Sequence, residues 1–282
     1  THSQREMRKL ALAIAGCAVL LLATVVAAPI FNAQQQTPVE KCKCVAFRLD
    51  DIQDYYLGGV QIQLMDEFER HNLPLTVGII GNYFGQDQKI VSYVKEGVAA
   101  GRLEVANHGW NHEWFTHYSQ KEQSDLMTKT NEKLNSIFGF KPQIFIAPYN
   151  AVNNSTFAAA KKNNILYVSA NMTYDKPPYD KRDDGLWHYP ETGETGDLNK
   201  DNTRWLGYDH EKTMSEIKRG IEENGFAVVT MHPMEFARRD GLNFHDELDE
   251  KQMQELDMLL KSINEQGYEI ITLSGLASRN GL

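Results

Sequence analysis

Cysteine is scarce, with 3 residues in 282. A disulfide framework is therefore excluded, and the fold has to rest on an apolar core, which 41% hydrophobic residues over this length can build. Positive charge is also in short supply. Lys plus Arg number 29 against 38 Asp plus Glu, for a formal charge of -9 and a pI near 5.5. Nucleic acid, whose binding needs clustered cations to displace counterions from phosphates, is set aside. The chain has no GxGxxG, no Walker-type phosphate loop and no GxSxG elbow. Nucleotide-dependent and serine-nucleophile mechanisms thus lack a foothold, and no nucleotide partner is expected. The length allows one barrel-sized domain or two smaller ones.

One long apolar run is present. Leu10 to Phe31 is 22 residues without a charge, preceded by Arg5, Arg8 and Lys9. That is the length of a bilayer-spanning helix, and the flanking cations predict that residues 1–9 stay in the cytoplasm. The expectation is a single-pass transmembrane anchor over 10–31, a polar linker over 32–41, and an extracytoplasmic domain over 42–282 at the cell membrane. A cleaved secretory signal is the competing reading, with Val25 and Ala27 or Val26 and Ala28 as its small-residue site. Ile14-Ala15-Gly16-Cys17 also looks like a lipoprotein cleavage box, although 14 uncharged residues follow Cys17. Each reading exports the same domain.

From Cys42 onward, short β-branched runs alternate with segments of helical spacing, the pattern of a parallel sheet with crossover helices. The strand candidates are residues 44–50, 75–80, 103–107, 143–147, 165–170, 226–231 and 268–273. Helical spacing shows in Val60, Leu64 and Phe68, and again in Met253, Leu256, Leu260 and Ile263. Ser119 with Glu122 fits a capping box, and Gly225 and Gly267 stand where helices should stop. Seven βα units in this length favour a single α/β barrel, although an open doubly wound sheet uses the same local pattern. Asn171 to Tyr208 is an unusually long connection, rich in aromatics, of a length that is either functional or disordered.

Polar residues cluster at the predicted strand ends, which in a barrel carry the active site. Asp50 and Asp51 close the first strand, His108 and His112 follow the third, Pro148 and Tyr149 follow the fourth, and His232 closes the sixth. The HxxxH spacing lets two imidazoles share a metal ion, with Asp50 or Asp51 as third ligand and one coordination position left open. Taken alone, each piece has a plainer explanation. A bare Asp-Asp is commonly a solvated turn, and a lone HxxxH is commonly two unrelated histidines. Period-2 alternation puts Arg48 and Asp50 on the inner face of the first strand and Glu104 on the inner face of the third. Buried charges need partners, so the pattern predicts an Arg48–Glu104 contact beneath the site. Trp187, Tyr189 and Trp205 in the long connection are either a packed cover over the barrel or flat apolar platforms on which a ligand ring could stack. Cys42 and Cys44 flank one residue, and two free or intermolecular thiols are expected there.

Taken in order, "FRLDD", "EVANHGWNH", "FIAPYN" and "VVTMHP" resemble the motifs of the polysaccharide deacetylases, which act on chitin, chitooligosaccharides and peptidoglycan. The resemblance covers residues 44 to 275. It implies a distorted (β/α)7 barrel and a divalent metal, commonly zinc, with Asp51, His108 and His112 as ligands. It further implies Asp50 as general base, His232 as general acid, and the backbone amide of Tyr149 as an oxyanion donor. The substrate implied is an N-acetylated amino sugar within a polysaccharide or oligosaccharide.

The chain departs from the family's motifs at several positions. Ile146 stands where the family has an Arg that steadies the base, and that Arg's partner in the following motif is not recognisable. Arg48 is placed to substitute for it. Gly109 replaces a Ser or Thr, and Thr230 replaces a Leu of the acyl pocket, which suggests a more polar pocket. Two other readings remain open: hydrolysis of another small or cyclic amide on the same scaffold, and a carbohydrate-binding protein whose catalytic machinery has decayed.

Overall fold

The computed structural model describes residues 42–177, 179–181 and 184–279. The expected cytoplasmic segment 1–9, the anchor or signal 10–31 and the linker 32–41 lie outside the described residues. Among the described residues no helix is long and apolar enough to cross a membrane.

The first half of the domain alternates strand and helix as the spacing predicts. β1 (Cys44–Ile52), α1 (Gly58–Arg70), β2 (Leu75–Ile79) and α2 (Gln88–Ala99) are followed by β3 (Leu103–Asn107) and α3 (Gln120–Phe138). β4 (Ile144–Ile146), α4 (Asn154–Lys162) and β5 (Tyr167–Ser169) complete it. In the second half, α5 (His210–Asn224) leads into β11 (Phe226–Met231), and α7 (Glu250–Glu265) leads into β14 (Glu269–Ile271). The main sheet is parallel, running β5-β4-β3-β2-β1-β11. Every residue of β1 is buried, as a parallel strand covered on both faces requires.

Alternation along β1 separates two cores. Val45, Phe47 and Leu49 face the helices, where Phe47 meets Phe68 of α1 edge to face at 5.1 Å. Cys44 and Ala46 face inward with Ala106, Ile144, Ile146 and Val228. Arg48 and Asp50 continue this inner face toward the carboxyl end of the strand.

The second half departs from the sequence pattern. The long connection 171–208 is not a plain loop: it holds β6 (Asp180–Lys181), β7 (Trp187–His188), β8 (Gly193–Glu194) and a hairpin of β9 (Gly196–Leu198) with β10 (Trp205–Gly207). Residues 187–195 bridge the two ends of the sheet. Trp187 and Tyr189 N–H donate to Leu166 and Val168 of the β5 side, after which Thr192 and Thr195 N–H donate to Val228 and Thr230 of β11. Two-residue strands are too short to display a period, so the sequence offered no sign of them. Conversely, the expected strand 268–273 shrinks to β14, which pairs only with Cys44–Ala46 at the start of β1 and lies off the main path. A second hairpin, β12 (Ala237–Asp240) with β13 (Asn243–Leu248), follows the short helix α6 (Pro233–Phe236).

The cysteine expectation is corrected. Cys42 and Cys44 form a disulfide, with Cα atoms 5.1 Å apart, inside the range a bridge can span. The capping box is present: Ser119 accepts from Glu122 N–H, and Glu122 reaches back to Ser119 N–H. Ser119→Ala should cost about 1 kcal/mol, a fall of roughly 2–4 °C in melting temperature that calorimetry can read.

Candidate active site

The two adjacent aspartates reach one site because β1 breaks its alternation there. The register with β2 slips between Leu49 and Ile52, and Asp51 adopts φ 63. Without this bulge, consecutive side chains would point to opposite faces. Asp51 Oδ1 lies 3.2 Å from His108 Nε2 and 3.2 Å from His112 Nε2. The three groups converge closely enough to hold a metal ion. Burial works against the charge on Asp51, but the hydrogen bonds from the two imidazoles outweigh it and hold the carboxyl well below its usual range.

His108 is buried, and its Nδ1 is 2.9 Å from the carbonyl of Ile146. A carbonyl can only accept, so Nδ1 carries a proton and Nε2 is the nitrogen turned toward Asp51, the orientation a metal ligand needs. The 108–112 segment is not helical. It is a loop stapled by Glu113, whose carboxylate accepts from the N–H groups of Trp110 and Asn111 at 2.9 Å each. Gly109 has φ 77, and a Cβ there would meet Glu113 Oε2 at 2.9 Å and Pro148 Cγ at 3.1 Å, which accounts for glycine at this position.

Asp50 stands beside this cluster. Its Oδ2 is 3.4 Å from Arg48 Nη2 and 4.0 Å from His232 Nε2, while Oδ1 has no hydrogen-bond partner among the described residues. Gly78 of β2 leaves the space they share: a Cβ there would touch both Asp50 Oδ1 and His108 Cβ at 3.4 Å.

His232 follows β11. Its Nδ1 is 2.9 Å from Glu235 Oε1, and Thr195 Oγ1 donates to Glu235 Oε2 at 2.5 Å. Burial opposes protonation of this imidazole, but the hydrogen bond and charge of Glu235, with help from Asp51 and Asp50, push its pKa up to about 9. The charged form of His232 is thus favoured, and Trp205 lies against its ring at 4.4 Å.

Tyr149 and Asn150 both have φ 55, two successive non-glycine residues in the left-handed region. Such residues cost of order 1–3 kcal/mol each and persist only where their surroundings hold them. The Tyr149 ring is 51% exposed, lies edge-on to His112 at 4.6 Å and stacks on Trp114 at 4.8 Å.

The Arg48–Glu104 contact is not made. Glu104 accepts from Thr76 Oγ1 at 2.8 Å and from the Ser274 hydroxyl and N–H, at the opposite end of the sheet from the histidines. Thr76 stands between Arg48 and Glu104 in the register and takes up the carboxylate. Arg48, fully buried, instead donates Nε to Thr230 Oγ1 at 2.7 Å, Nη1 to Ser169 Oγ at 2.8 Å, and Nη2 to Asn150 Oδ1 and to Glu191 Oε2, the last at 3.3 Å. Thr230 therefore spends its hydroxyl on Arg48 and Glu191 and offers no free polar group to an acyl pocket. Of the platform candidates, Tyr189 is fully buried among the inner core residues and Trp187 stacks on it at 6.2 Å, so both are core. Trp205 alone of the three reaches the site. Glu191, Glu235 and Trp114 went unnoticed in the sequence. Only Glu235 had a readable signal there, three residues after His232 in a capping pattern.

Residues 38–168 match the polysaccharide deacetylase family model. The chain is 29% identical over 143 residues to a peptidoglycan deacetylase of Helicobacter pylori, covering 49% of this chain and 46% of that protein. It spans less than half the length of the curated relatives it matches. Among solved structures it resembles one from Mycobacterium smegmatis assigned to the polysaccharide deacetylases, with TM-score 0.66, 18% identity and coverage of 86% and 91% of the two chains. It also resembles a family 4 acetyl xylan esterase of Clostridium thermocellum in complex with a cobalt ion, with TM-score 0.55, 17% identity and coverage of 83% and 90%. The matched segment contains the Asp50-Asp51 pair, both histidines of the HxxxH and the Pro148-Tyr149 turn, so the likeness to polysaccharide deacetylases falls on the residues that build the site.

Proposed function

We propose that this chain is a divalent-metal-dependent amide hydrolase that removes acetyl groups from N-acetylated amino sugars of a surface polysaccharide. The observation that carries the reading is the convergence of Asp51, His108 and His112 beside a buried carboxylate, Asp50, that keeps one oxygen free. One carboxylate and two imidazoles, with His108 held in the orientation a ligand needs, are a donor set for zinc or a similar ion. When bound, such an ion supplies Lewis acidity, polarising an amide carbonyl and lowering the pKa of water. Asp50 Oδ1 accepts a proton from the attacking water. His232, charged, donates one to the leaving amine, and the N–H of Tyr149 faces the developing oxyanion.

The half-exposed Tyr149 ring on Trp114, and Trp205 against His232, place aromatic faces beside the site. That favours a glycan chain over a small cyclic amide, which a closed pocket would suit better. The curled sheet bridged by residues 187–195 is read as the distorted (β/α)7 barrel. The uncharged run 10–31 supports a membrane-anchored domain on the outer side, where such a polysaccharide lies.

The test is to strip the protein of metal, restore zinc, cobalt or manganese singly, and measure acetate released from chitooligosaccharides and peptidoglycan fragments. Release should depend on the ion and vanish in His108→Ala. Glycan binding with no turnover under any ion would instead identify a carbohydrate-binding protein.

Glu235→Gln supplies a pH test. His232 donates its proton only below its pKa, so activity should persist at neutral pH and fall as pH rises toward about 9. Removing the Glu235 charge leaves burial to dominate, and the alkaline limb of kcat should move down by roughly one unit or more. An unmoved limb would exclude His232 as the group that titrates there.

A further inference from the structure

Glu191 lies beyond the family match and outside every motif, yet its carboxylate is central to the buried network beside Asp50. We propose that Glu191 is a positioning residue that sets both the base Asp50 and the turn presenting the Tyr149 amide. The inference rests on the function proposed above.

The geometry is specific. Glu191 Oε2 accepts from Thr230 Oγ1 at 2.5 Å and from Arg48 Nη2 at 3.3 Å, and Oε1 accepts from Asn150 Nδ2 at 3.0 Å. The same Arg48 Nη2 serves Asp50 Oδ2 at 3.4 Å and Asn150 Oδ1. One guanidinium nitrogen is therefore shared among the base, the residue after the oxyanion donor, and Glu191. Asn150 is gripped from both ends of its amide, Oδ1 by Arg48 and Nδ2 by Glu191, which fixes its orientation and supports the two left-handed residues of the turn.

Charge balance gives Glu191 its second effect. Without it, Arg48 would face Asp50 as its only carboxylate in a buried setting, and the two would draw into a tight pair that withholds Asp50 from water. Glu191 competes for the guanidinium and leaves Asp50 at salt-bridge distance, with Oδ1 free. The backbone makes this placement firm: Glu191 N–H donates to Ala170 O at 2.7 Å, where the bridging segment passes from β5 toward β11.

The experiment compares wild type, Glu191→Gln and Glu191→Ala as full, metal-loaded chains. It reads kcat and KM for acetate release from a chitooligosaccharide, bound metal per chain, melting temperature, and amide hydrogen exchange across residues 147–151. In Glu191→Gln, kcat should fall on the order of 10- to 100-fold, with KM and metal content unchanged and exchange raised at 147–151 but not in β1 to β3. Added formate should restore part of the kcat lost in Glu191→Ala. A kcat within twofold of wild type in Glu191→Gln overturns the proposal. So does a loss of kcat that merely tracks lost metal or a general fall in melting temperature. If wild type releases no acetate from any glycan, the functional reading fails instead. Exchange at 147–151 then decides this inference alone, with raised exchange in Glu191→Gln supporting it and unchanged exchange overturning it.

Discussion

Replacing Asp50 by Asn is expected to lower kcat by about 10^2- to 10^4-fold, the usual contribution of a general base, while bound metal stays at the wild-type level. The substitution preserves shape and keeps an oxygen for Arg48, but an amide cannot take a proton from water. Asp50 is not among the three converging ligand groups, and its free Oδ1 points into the space left by Gly78. Loss of metal should therefore not accompany loss of rate. Steady-state kinetics with metal analysis on the same sample separates the two. More than a tenth of wild-type kcat in Asp50→Asn would rule Asp50 out as the base, and a fall in metal content would recast it as a ligand.

Arg48→Met should have the largest effect on stability, a loss of roughly 3–5 kcal/mol, since it removes the cation from a buried cluster and leaves two carboxylates facing each other. Arg48 is wholly inaccessible to solvent, and Asp50 and Glu191 are both its ion-pair partners. Methionine fills much of the volume, so packing loss adds little and the measured difference reports on charge. Denaturant unfolding of the metal-free protein gives the number. Adding Glu191→Gln to Arg48→Met should recover part of the loss, because one of the stranded anions is gone and the sites are coupled. A change below about 1 kcal/mol in Arg48→Met would mean that water reaches these carboxylates and the network is not the isolated cluster its burial implies.

The sequence exposed as much of this site as its periodic elements could carry. Alternation along β1 correctly placed Arg48 and Asp50 on one inner face, since a buried strand enforces its period. It could not show that Asp51 joins Asp50, because that depends on a bulge with φ 63, and a bulge leaves no mark in the pattern of apolar residues. The same alternation put Glu104 inside but could not choose its partner. Thr76, one strand over, and Ser274, from beyond β14, take it up. Trp187 and Tyr189 read as stacking platforms because the segment holding them had no period, yet Trp187 lies half-buried in the two-residue β7 and Tyr189, just after it, is fully buried. Glu191 was invisible for the same reason.

Those remote partners have a consequence for anyone dividing the chain. Arg48 finds Glu191 143 positions away and Thr230 182 positions away, and Asp50 finds His232 at a similar remove. A fragment ending at residue 168, where the family match stops, would keep Asp51, His108 and His112 and leave Arg48 with Asp50 and Asn150, but it would take away Arg48's partners Ser169, Glu191 and Thr230 and Asp50's neighbour His232. The two parts of the domain are thus joined through the buried Arg48 network, which draws on both. The site can assemble only after the last third of the polypeptide has been made and has returned to the first strand.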